Sequence, residues 1–345
     1  MSLGKIVLGM SGGVDSNYSV KKLQDMGYTV IGATLIMSDE TDDSAAKRVA
    51  EELGIEHVSI DCRGEFEKCV IGDFVSEYAR GRTPNPCVVC NRYVKFKKLC
   101  ELAKSIGAEK VSTGHYVDIG YENGRYFIRR GADVRKDQSY VLWNLTQEEL
   151  GMLYFSLADD DKKDVMVRAE ELGLMPDDYS ESQEICFIPS NDHAAFIEGR
   201  IGKSKPGDFI DESGNVVGKH RGIVNYTIGQ RKGLGLSLGH PVFVYDIDAA
   251  KNTVSVSTEE KLFSCSASCS RLNFQKLAPG DMDARRFRVK IRYAAQPTEA
   301  TVFVTGDSAR IVFDTPVRAA TPGQSAVFYD GEDIAFGGFI DSGRS

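Results

Sequence analysis

The 345-residue sequence lacks the features that mark membrane, fibrous and disordered proteins. No segment approaches the ~20 consecutive apolar residues of a transmembrane helix, and the N-terminus does not have the pattern of a secretory signal peptide. We find no internal repeat and no low-complexity segment. Hydrophobic residues make up 42% and charged residues 27%, which is typical of a soluble globular protein and excludes a disordered tail, a coiled coil and a collagen.

Cysteine is also scarce, with eight residues in the chain. That number is too small for a disulfide scaffold. Because there is no export signal, we expect a cytoplasmic protein, in which cysteines are more often catalytic or metal-binding than cross-linked. The net charge of −8 disfavours a nucleic-acid partner only weakly, because the excess acid lies within residues 1–192 and the rest of the chain is slightly basic.

The first third of the chain alternates short apolar runs with helical stripes of apolar residues. Strands are predicted at 6–8, 29–35, 57–61 and 110–114, and the helices between them end at Gly27, Gly54 and Gly107. This alternation predicts a parallel sheet covered on both faces, with ligands bound beyond the carboxyl ends of its strands. An Asn-Gly turn predicts a β-hairpin at 121–126. After about residue 200 the pattern indicates β structure, with strands at 287–293, 301–305, 310–313 and 326–329.

A glycine-rich loop joins the first predicted strand to the first predicted helix, and it reads Gly9-Met10-Ser11-Gly12-Gly13-Val14-Asp15-Ser16. Its glycines let the backbone curl, so that N–H groups and the helix N-terminus can bind an anion. The serine hydroxyls add donors, and Asp15 suits a Mg²⁺ ion that bridges phosphates. The loop does not end in Lys-Ser/Thr, so it is not the P-loop of kinases and GTPases. A purely structural glycine turn is the alternative.

This string resembles the pyrophosphate loop of the ATP pyrophosphatases, which split ATP into AMP and pyrophosphate by adenylating an oxygen. Further segments resemble the tRNA-specific 2-thiouridylases in that class: Thr83-Pro-Asn-Pro-Cys-Val-Val-Cys-Asn91, Thr113-Gly-His-Tyr116, Lys136-Asp-Gln-Ser-Tyr140, Ile185-Cys-Phe-Ile188, Tyr226-Thr-Ile-Gly-Gln-Arg-Lys-Gly233, Arg292-Tyr293 and Pro322-Gly-Gln324. They span nearly the whole chain in the family's order. The family uses ATP to exchange the C2 oxygen of the wobble uridine (position 34) of tRNA for sulfur.

The resemblance implies an α/β fold, with a parallel doubly wound sheet of the adenine nucleotide α hydrolase type followed by two small β domains. The expected boundaries are 1–192 for an ATP pyrophosphatase catalytic domain, 193–262 for a small central β-rich domain that contacts tRNA, and 263–345 for a C-terminal β-barrel-like domain. ATP with Mg²⁺ and tRNA are the implied cofactors and substrate. A persulfide-donating relay protein or a cysteine desulfurase is the implied partner.

Three cysteines receive roles from the resemblance. Cys186 accepts a persulfide sulfur, and Cys90 is the nucleophile that helps release it, ending in a disulfide with Cys186. Cys87 stands where most members have an aspartate, a candidate acid–base residue. A thiolate base at Cys87, a [4Fe-4S] cluster on Cys87, Cys90 and Cys186, and a packing role for Cys87 all remain open. The other five cysteines are expected to be buried apolar thiols: Cys62, Cys69, Cys100, Cys265 and Cys269.

The resemblance also implies binding residues. The ATP contacts are loop residues 9–16 together with Leu35 and Gly114, with Asp15 as the Mg²⁺ ligand. The implied tRNA contacts are Asn85, Pro86, Cys87, His115, Lys136, Asp137, Gln138, Arg292, Tyr293 and Gln324. Without the resemblance, His115 is interpreted as a core residue, and the basic alternation at 286–292 as a solvated strand face. The basic residues at 92–98 are interpreted either as phosphate contacts or as the solvent-exposed side of a helix.

Two other functions remain possible from the sequence. An amide-forming synthetase of the same loop class would need an amine-donor site and no paired cysteines. A non-catalytic RNA-binding protein would keep the loop as a relic. The acidic segment at 38–43 is shorter than in many members of the family, which bears on the adenine pocket.

Overall fold

The computed structural model describes residues 3–176 and 185–343. Its first part alternates strands and helices, with these bounds: β1 (Lys5–Gly9), α1 (Val14–Met26), β2 (Thr29–Ile36), α2 (Ser44–Glu52), β3 (Glu56–Asp61), α3 (Arg63–Phe66), α4 (Gly72–Ala79), α5 (Pro86–Cys90), α6 (Phe96–Ser105) and β4 (Lys110–Thr113). The four strands form a parallel sheet in the order β3-β2-β1-β4. The predicted parallel sheet is confirmed.

The central strand β1 shows why this sheet is covered on both faces. Ile6, Val7 and Leu8 are fully buried, although successive side chains of a strand point to opposite faces. Val7 pairs with Ile31 on one side and Val111 on the other. A strand that buries both faces has no alternation of polar and apolar residues, as parallel α/β sheets require.

Two π-helical turns interrupt the helices between β3 and β4. The first (Glu67–Ile71) joins α3 to α4, and the second (Asn91–Lys95) joins α5 to α6. A π turn stacks residues five apart instead of four, and such turns occur frequently at functional sites. Neither turn follows from the apolar periodicity of the sequence.

The hairpin predicted at the Asn-Gly turn is confirmed as β5 (Val117–Glu122) and β6 (Arg125–Arg130). Asn123 and Gly124 have φ values of 50° and 76°, as a type I′ turn requires. The next helices are α7 (Gln147–Met152), α8 (Lys162–Glu171) and α9 (His193–Ile201), with short 3₁₀ turns at Val134–Lys136 and Ser139–Leu142.

The remainder of the chain is β structure in two sheets. The first has the order β8-β7-β10-β9, from β7 (Gly207–Ile210), β8 (Val216–His220), β9 (Phe243–Asp248) and β10 (Thr253–Ser257). The second contains β11 (Phe263–Phe274), β12 (Met282–Lys290), β13 (Thr298–Thr305), β14 (Ser308–Arg318), β15 (Ser325–Asp330) and β16 (Asp333–Ser342). β11 pairs with both β14 and β16, which closes these six strands into a barrel. Further 3₁₀ turns lie at Ile223–Asn225 and Glu259–Leu262.

The barrel and the first part of the chain are packed together through the hairpin. β6 pairs with β16 at Arg129 and Asp333, whose Nε and Oδ1 atoms are 2.7 Å apart. The fully buried Trp143 donates its Nε1–H to Ser325 Oγ of β15 at 2.9 Å. The Trp143–Ser325 contact is buried and polar, so it favours one arrangement of the two parts.

Three expectations from the sequence are wrong in detail. Cys265 is exposed and Cys69 is half-buried, although both were expected in the core; Cys62, Cys100 and Cys269 are buried as expected. The strand predicted at 287–293 ends at Lys290. Lys290 is itself buried rather than solvated, because its ammonium lies over the rings of Tyr140 and Tyr293 at 5.7 and 5.5 Å. In the described part of the chain, no helix is long and apolar enough to cross a membrane.

Candidate active site

The glycine-rich loop lies at the carboxyl end of β1 and leads directly into α1. Gly12 has a φ of +75°, and a Cβ there would lie 3.0 Å from the Cβ of Ala45, so glycine is required for both reasons. The first hydrogen bond of α1 runs from the Asn17 N–H to the Gly13 carbonyl. The preceding N–H groups therefore point out of the helix end, where they can bind an anion. Ser16 Oγ donates to the Gly13 carbonyl at 2.8 Å and helps hold the turn.

Asp15, in the first turn of α1, is held by two donors from distant parts of the chain. Lys162 Nζ lies 2.5 Å from Asp15 Oδ1, and the Tyr116 hydroxyl donates to the same oxygen at 2.6 Å. Lys162 begins α8 and is only 8% exposed. Burial and the carboxylate raise the pKa of Tyr116, so its hydroxyl stays a donor. The carboxylate is therefore oriented and partly neutralised in this structure.

The two other predicted ATP contacts lie at the same edge of the sheet. Leu35 is close to the end of β2, which neighbours β1, and its side chain is buried. Gly114 follows β4 directly, and a Cβ there would lie 2.9 Å from Asp15 Cβ and 3.0 Å from the Ser16 nitrogen. The backbone at Gly114 thus packs against the loop, and any larger residue would push the two apart.

His115 follows Gly114 at this edge and packs near two aromatic rings. Its Nδ1 is 2.6 Å from Thr113 Oγ1, and its ring packs near Phe96 and Phe155 at centroid distances of 5.8 and 6.1 Å. Desolvation, with a smaller contribution from the positive charge of Lys95, lowers the pKa of His115 to about 3. The imidazole is therefore neutral at physiological pH.

The first two candidate cysteines lie on α5. Asn85 caps this helix by accepting a hydrogen bond from the Cys87 N–H at 3.1 Å, and Pro86 occupies the first helical position, where proline is favoured. Cys87 and Cys90 are three residues apart and so share one face of the helix. Cys87 is exposed, whereas Cys90 is buried. Burial raises the pKa of Cys90 to about 12.

The third candidate, Cys186, is exposed and lies next to an aromatic anchor. The ring of Phe187 packs edge-on against Phe66 and Phe74 at 5.6 and 5.4 Å and near Phe196 at 5.3 Å. These contacts attach the segment of Cys186 to α3, α4 and α9. Phe187, which follows Cys186, is thus held in place by packing, while the Cys186 thiol stays accessible.

The three thiols share one electrostatic environment. Desolvation raises the pKa of Cys87, Cys90 and Cys186, and the charges of Cys87 and Cys186 both raise the pKa of Cys90 further. Cys87 and Cys90 are one helical turn apart on α5. Lys95, the last residue of the second π turn, lowers the pKa of all three thiols. Its side chain has no ion-pair partner within the described residues.

From the sequence, Lys95 is predicted only as one of the basic residues at 92–98 that suit phosphate contacts or a solvent-exposed helix side, and Lys162 is not predicted to have a role. A spacing of 3.6 residues per turn does not place Lys95 beside the cysteines, because the π turn that ends at Lys95 cannot be seen in the sequence. No signal in the sequence connects Lys162 to a loop near the N-terminus. Within residues 3–176 and 185–343, no group of three or more His, Cys, Asp or Glu side chains is placed so that it could hold a metal ion.

The predicted tRNA contacts on the β domains lie where the three parts of the chain meet. Arg292 donates to the Ile228 carbonyl at 3.0 Å and also contacts Thr321. Tyr293 is 46% exposed, and the charge of Cys87 raises its pKa, after desolvation and Asp137. Its ring packs edge-on near that of Tyr140, at a centroid distance of 6.1 Å.

The predicted contacts at 136–138 have structural partners. Asp137 is buried and accepts hydrogen bonds from the Ser139 N–H at 2.9 Å and from Arg130 Nε at 3.0 Å. Gln138 Oε1 accepts from the Tyr116 N–H at 3.0 Å. Lys136 lies in the 3₁₀ turn beside them and is half-buried. The side chains of Asp137 and Gln138 thus form hydrogen bonds within the protein that hold this region together.

Comparison with known proteins identifies the family. Models described as a tRNA methyl transferase HUP domain, a tRNA methyl transferase PRC-barrel domain and an aminomethyltransferase beta-barrel domain match residues 4–190, 194–258 and 266–340. The tRNA-specific 2-thiouridylase MnmA of Acetivibrio thermocellus is 43% identical over 359 residues, covering 99% of this chain and 100% of that protein.

Two further relatives match over almost their whole length. The tRNA-specific 2-thiouridylase MnmA of Clostridium perfringens is 43% identical over 360 residues, covering 99% of each chain. The protein named tRNA-specific 2-thiouridylase MnmA 1 of Caldanaerobacter subterraneus is 44% identical over 356 residues, covering 98% of each. At this identity and coverage, the chain belongs to the tRNA-specific 2-thiouridylase family.

Proposed function

We propose that the protein is a tRNA-uridine 2-sulfurtransferase that uses ATP to replace the C2 oxygen of the wobble uridine (position 34) with sulfur, releasing AMP and pyrophosphate. Relatives that match the whole chain carry the name of this activity. The observation that carries the proposal is the shared location of the thiols and the glycine-rich loop. Gly114 abuts Asp15, and the ring of its neighbour His115 lies 5.8 Å from that of Phe96. Phe96 begins α6, which continues from the cysteine helix α5 through the second π turn.

In the activation step, loop residues 9–16 bind the phosphates of ATP, with Leu35 and Gly114 at the adenosine. The C2 oxygen of uridine attacks the α-phosphorus, and pyrophosphate leaves. The carboxylate of Asp15 has the oxygen ligands that Mg²⁺ prefers, and a bound Mg²⁺ would stabilise charge on the departing pyrophosphate. Lys162, paired with Asp15, adds a second positive charge at the same point.

In the sulfur-transfer step, Cys186 carries a persulfide received from a relay protein or a cysteine desulfurase. Its terminal sulfur attacks C2 of the adenylated uridine. Cys90, whose proton passes to the acid–base residue, then attacks the Sγ atom of Cys186 and breaks the persulfide bond, and AMP leaves from C2. The two thiols are oxidised to a disulfide while the transferred sulfur is reduced to the sulfide level. An external thiol must then reduce the disulfide.

Cys87 takes the place of the family's aspartate as the acid–base residue in this proposal. Its position at the start of α5 leaves it exposed, one helical turn from Cys90. The alternative is a [4Fe-4S] cluster on Cys87, Cys90 and Cys186. These three thiols do not form a metal-holding group in this structure, so we derive no step through a cluster.

The tRNA is bound across the three proposed domains, 1–192, 193–262 and 263–345. The contacts proposed for the anticodon region are Asn85, Pro86, Cys87, His115, Lys136, Asp137, Gln138, Arg292 and Tyr293. Gln324, which the resemblance also implies as a contact, instead donates to the backbone carbonyls of Thr83 and Pro84. The target base must leave its stack to reach a buried thiol such as Cys90, as in other base-modifying enzymes. Shape and backbone recognition by the β domains would suit a folded RNA. A cytoplasmic location fits these substrates.

The proposal is tested by mass analysis of anticodon nucleosides after tRNA is incubated with the protein, ATP, Mg²⁺ and a persulfide donor. We expect 2-thiouridine at position 34 and one AMP per modified tRNA, with neither product when ATP is omitted. AMP formation that depends on a small acid and an amine would instead identify an amide-forming synthetase. Binding of tRNA without AMP formation would identify an RNA-binding protein.

A further inference from the structure

The segment that precedes the cysteine helix is held by the C-terminal barrel. Gln324 Nε2 donates to the carbonyls of Thr83 and Pro84 at 2.9 and 3.2 Å, and the Thr83 N–H donates to the Pro322 carbonyl at 2.9 Å. Three hydrogen bonds thus connect residues 322–324 to the backbone of two consecutive residues. We call this set of contacts the barrel clamp.

The barrel side of the clamp is rigid. The N–H of Gly323 donates to the carbonyl of Ile340, and the N–H of Ile340 donates to the carbonyl of Gln324, at 2.9 and 2.8 Å. Gly323 has a φ of +91°, and a Cβ there would lie 3.0 Å from the carbonyl carbon and oxygen of Thr83. Only glycine permits both this backbone conformation and this close approach.

The catalytic side of the clamp leads directly to the thiols. Asn85 is the one residue between Pro84 and the start of α5, and its side chain caps that helix at the N–H of Cys87. A shift at Thr83 therefore moves the helix that carries Cys87 and Cys90. A helix of five residues has few internal hydrogen bonds of its own, so its position depends on what holds its ends.

The central β domain contacts the same segment. Thr83 Oγ1 donates to Thr227 Oγ1 at 3.3 Å. Gly81 has a φ of +73°, and a Cβ there would lie 2.7 Å from Ile247 Cγ2. Both β domains thus meet the chain within the four residues that precede Asn85.

From this geometry we propose that Gln324 is a positioning residue: its side-chain amide connects the barrel to the start of the cysteine helix and holds the thiols in place, and it is not a source of tRNA affinity. The proposal rests on the proposed function for the reaction that the thiols carry out, but the contact itself can be tested without that reaction. A carboxylate in place of the amide would face two carbonyl oxygens with no hydrogen to donate.

The experiment compares Gln324→Glu and Gln324→Leu with the control Gln296→Leu, which changes an exposed glutamine of the same barrel. Three quantities are measured for each folded variant: the iodoacetamide alkylation rate of Cys87 and Cys90 by peptide mass spectrometry, the Kd for tRNA, and the single-turnover thiolation rate with saturating tRNA. We expect alkylation of Cys90 to accelerate and thiolation to slow by about tenfold, because two backbone carbonyls lose their hydrogen-bond donor. The tRNA Kd should stay within about twofold, and the control should match the wild type.

Gly323→Ala provides a second route if the Gln324 variants do not fold. It strains the clamp without changing the amide, and it should also accelerate alkylation of Cys90. A tenfold weaker tRNA Kd with unchanged alkylation would assign Gln324 to tRNA binding and overturn the proposal. Unchanged values of all three quantities would overturn it as well. If the wild type fails to thiolate tRNA, the alkylation rates still decide whether the clamp positions the helix.

Discussion

Lys162 Nζ lies 2.5 Å from Asp15 Oδ1, and this ion pair joins the start of α8 to the first turn of α1. Tyr116 donates to the same carboxylate oxygen. The pair places a buried cation beside the N–H groups of the glycine-rich loop, where the phosphates of ATP are expected. Buried ion pairs need further hydrogen bonds to offset the loss of hydration, and Tyr116 supplies one.

Asp15→Asn should nearly abolish the formation of AMP and pyrophosphate. The amide keeps the shape of the carboxylate but loses the charge that would hold Mg²⁺, and such charge stabilisation contributes several kcal/mol in a transition state. We therefore expect a loss of about a thousandfold in the rate of AMP release, measured with radiolabelled ATP and saturating tRNA. Near-normal AMP release from this variant would contradict the assignment of the loop.

Lys162→Met should weaken the use of ATP. The variant removes the cation but keeps an unbranched apolar side chain. The negative charge of Asp15 then faces the phosphates without a neutralising partner. We expect the KM for ATP to rise by about tenfold or more, since a hydrogen bond to a charged group contributes ~1.5–3 kcal/mol. Lys163→Met is the matched control, because Lys163 is adjacent and exposed. Equal KM values in the two variants would show that the ion pair has no role in ATP binding.

Lys95→Met should move the pH dependence of thiolation. The thiolate is the reactive form, so the rate rises as pH increases through the pKa of the thiol. Lys95 lowers the pKa of Cys87, Cys90 and Cys186, and its loss should shift the rising limb of the pH–rate profile to higher pH. Lys95→Arg, which retains the charge, should restore the profile.

The control for that experiment is Lys97→Met, which changes an exposed lysine of α6. Iodoacetamide alkylation of Cys186 measured against pH should show the same upward shift as the thiolation rate. A profile that does not move in Lys95→Met would remove Lys95 from the account of thiol reactivity.

Cys186→Ser should bind tRNA and form AMP but should not thiolate tRNA from a persulfide donor. A hydroxyl group cannot carry a transferable sulfur, whereas the fold around Phe187 should be unaffected by the change. The measurement is 2-thiouridine by mass spectrometry beside AMP release on the same samples. Cys265→Ser, at an exposed cysteine of the barrel, should behave as the wild type. Thiolation by Cys186→Ser at the wild-type rate would exclude the persulfide role.

Cys87→Ala should lower thiolation by about a hundredfold or more, the contribution typical of a general acid or base. Cys87→Asp should retain most of the activity, because it restores the residue type that the family resemblance places there. Protein purified without oxygen should be colourless and free of iron. Iron and sulfide in the wild type that disappear in Cys87→Ala would support the cluster instead, and full activity of Cys87→Ala would leave a packing role.

Much of the first part of the chain could be predicted because its signals are local. Buried strands read as apolar runs, and Gly27, Gly54 and Gly107 each follow a predicted helix and adopt positive φ, as predicted for helix ends. The region between β3 and β4 was less predictable, because α3 and α5 have only four and five residues and each continues into a π turn. The apolar pattern with a period of 3.6 residues is interrupted at such turns, so it does not predict these helices.

The sequence by itself determined the phosphate-type loop, the alternation of strands and helices, the Asn-Gly hairpin and, through collinear motifs, the family. These features depend on residues close together in the chain or on their order. Only the tertiary structure decided that Lys162 and Tyr116 meet Asp15 and that Gln324 bonds to Thr83. Each of these contacts joins residues that are far apart in the sequence, and that separation does not predict which residues meet in space. They form because several layers of side chains pack at once, and no local pattern encodes that result.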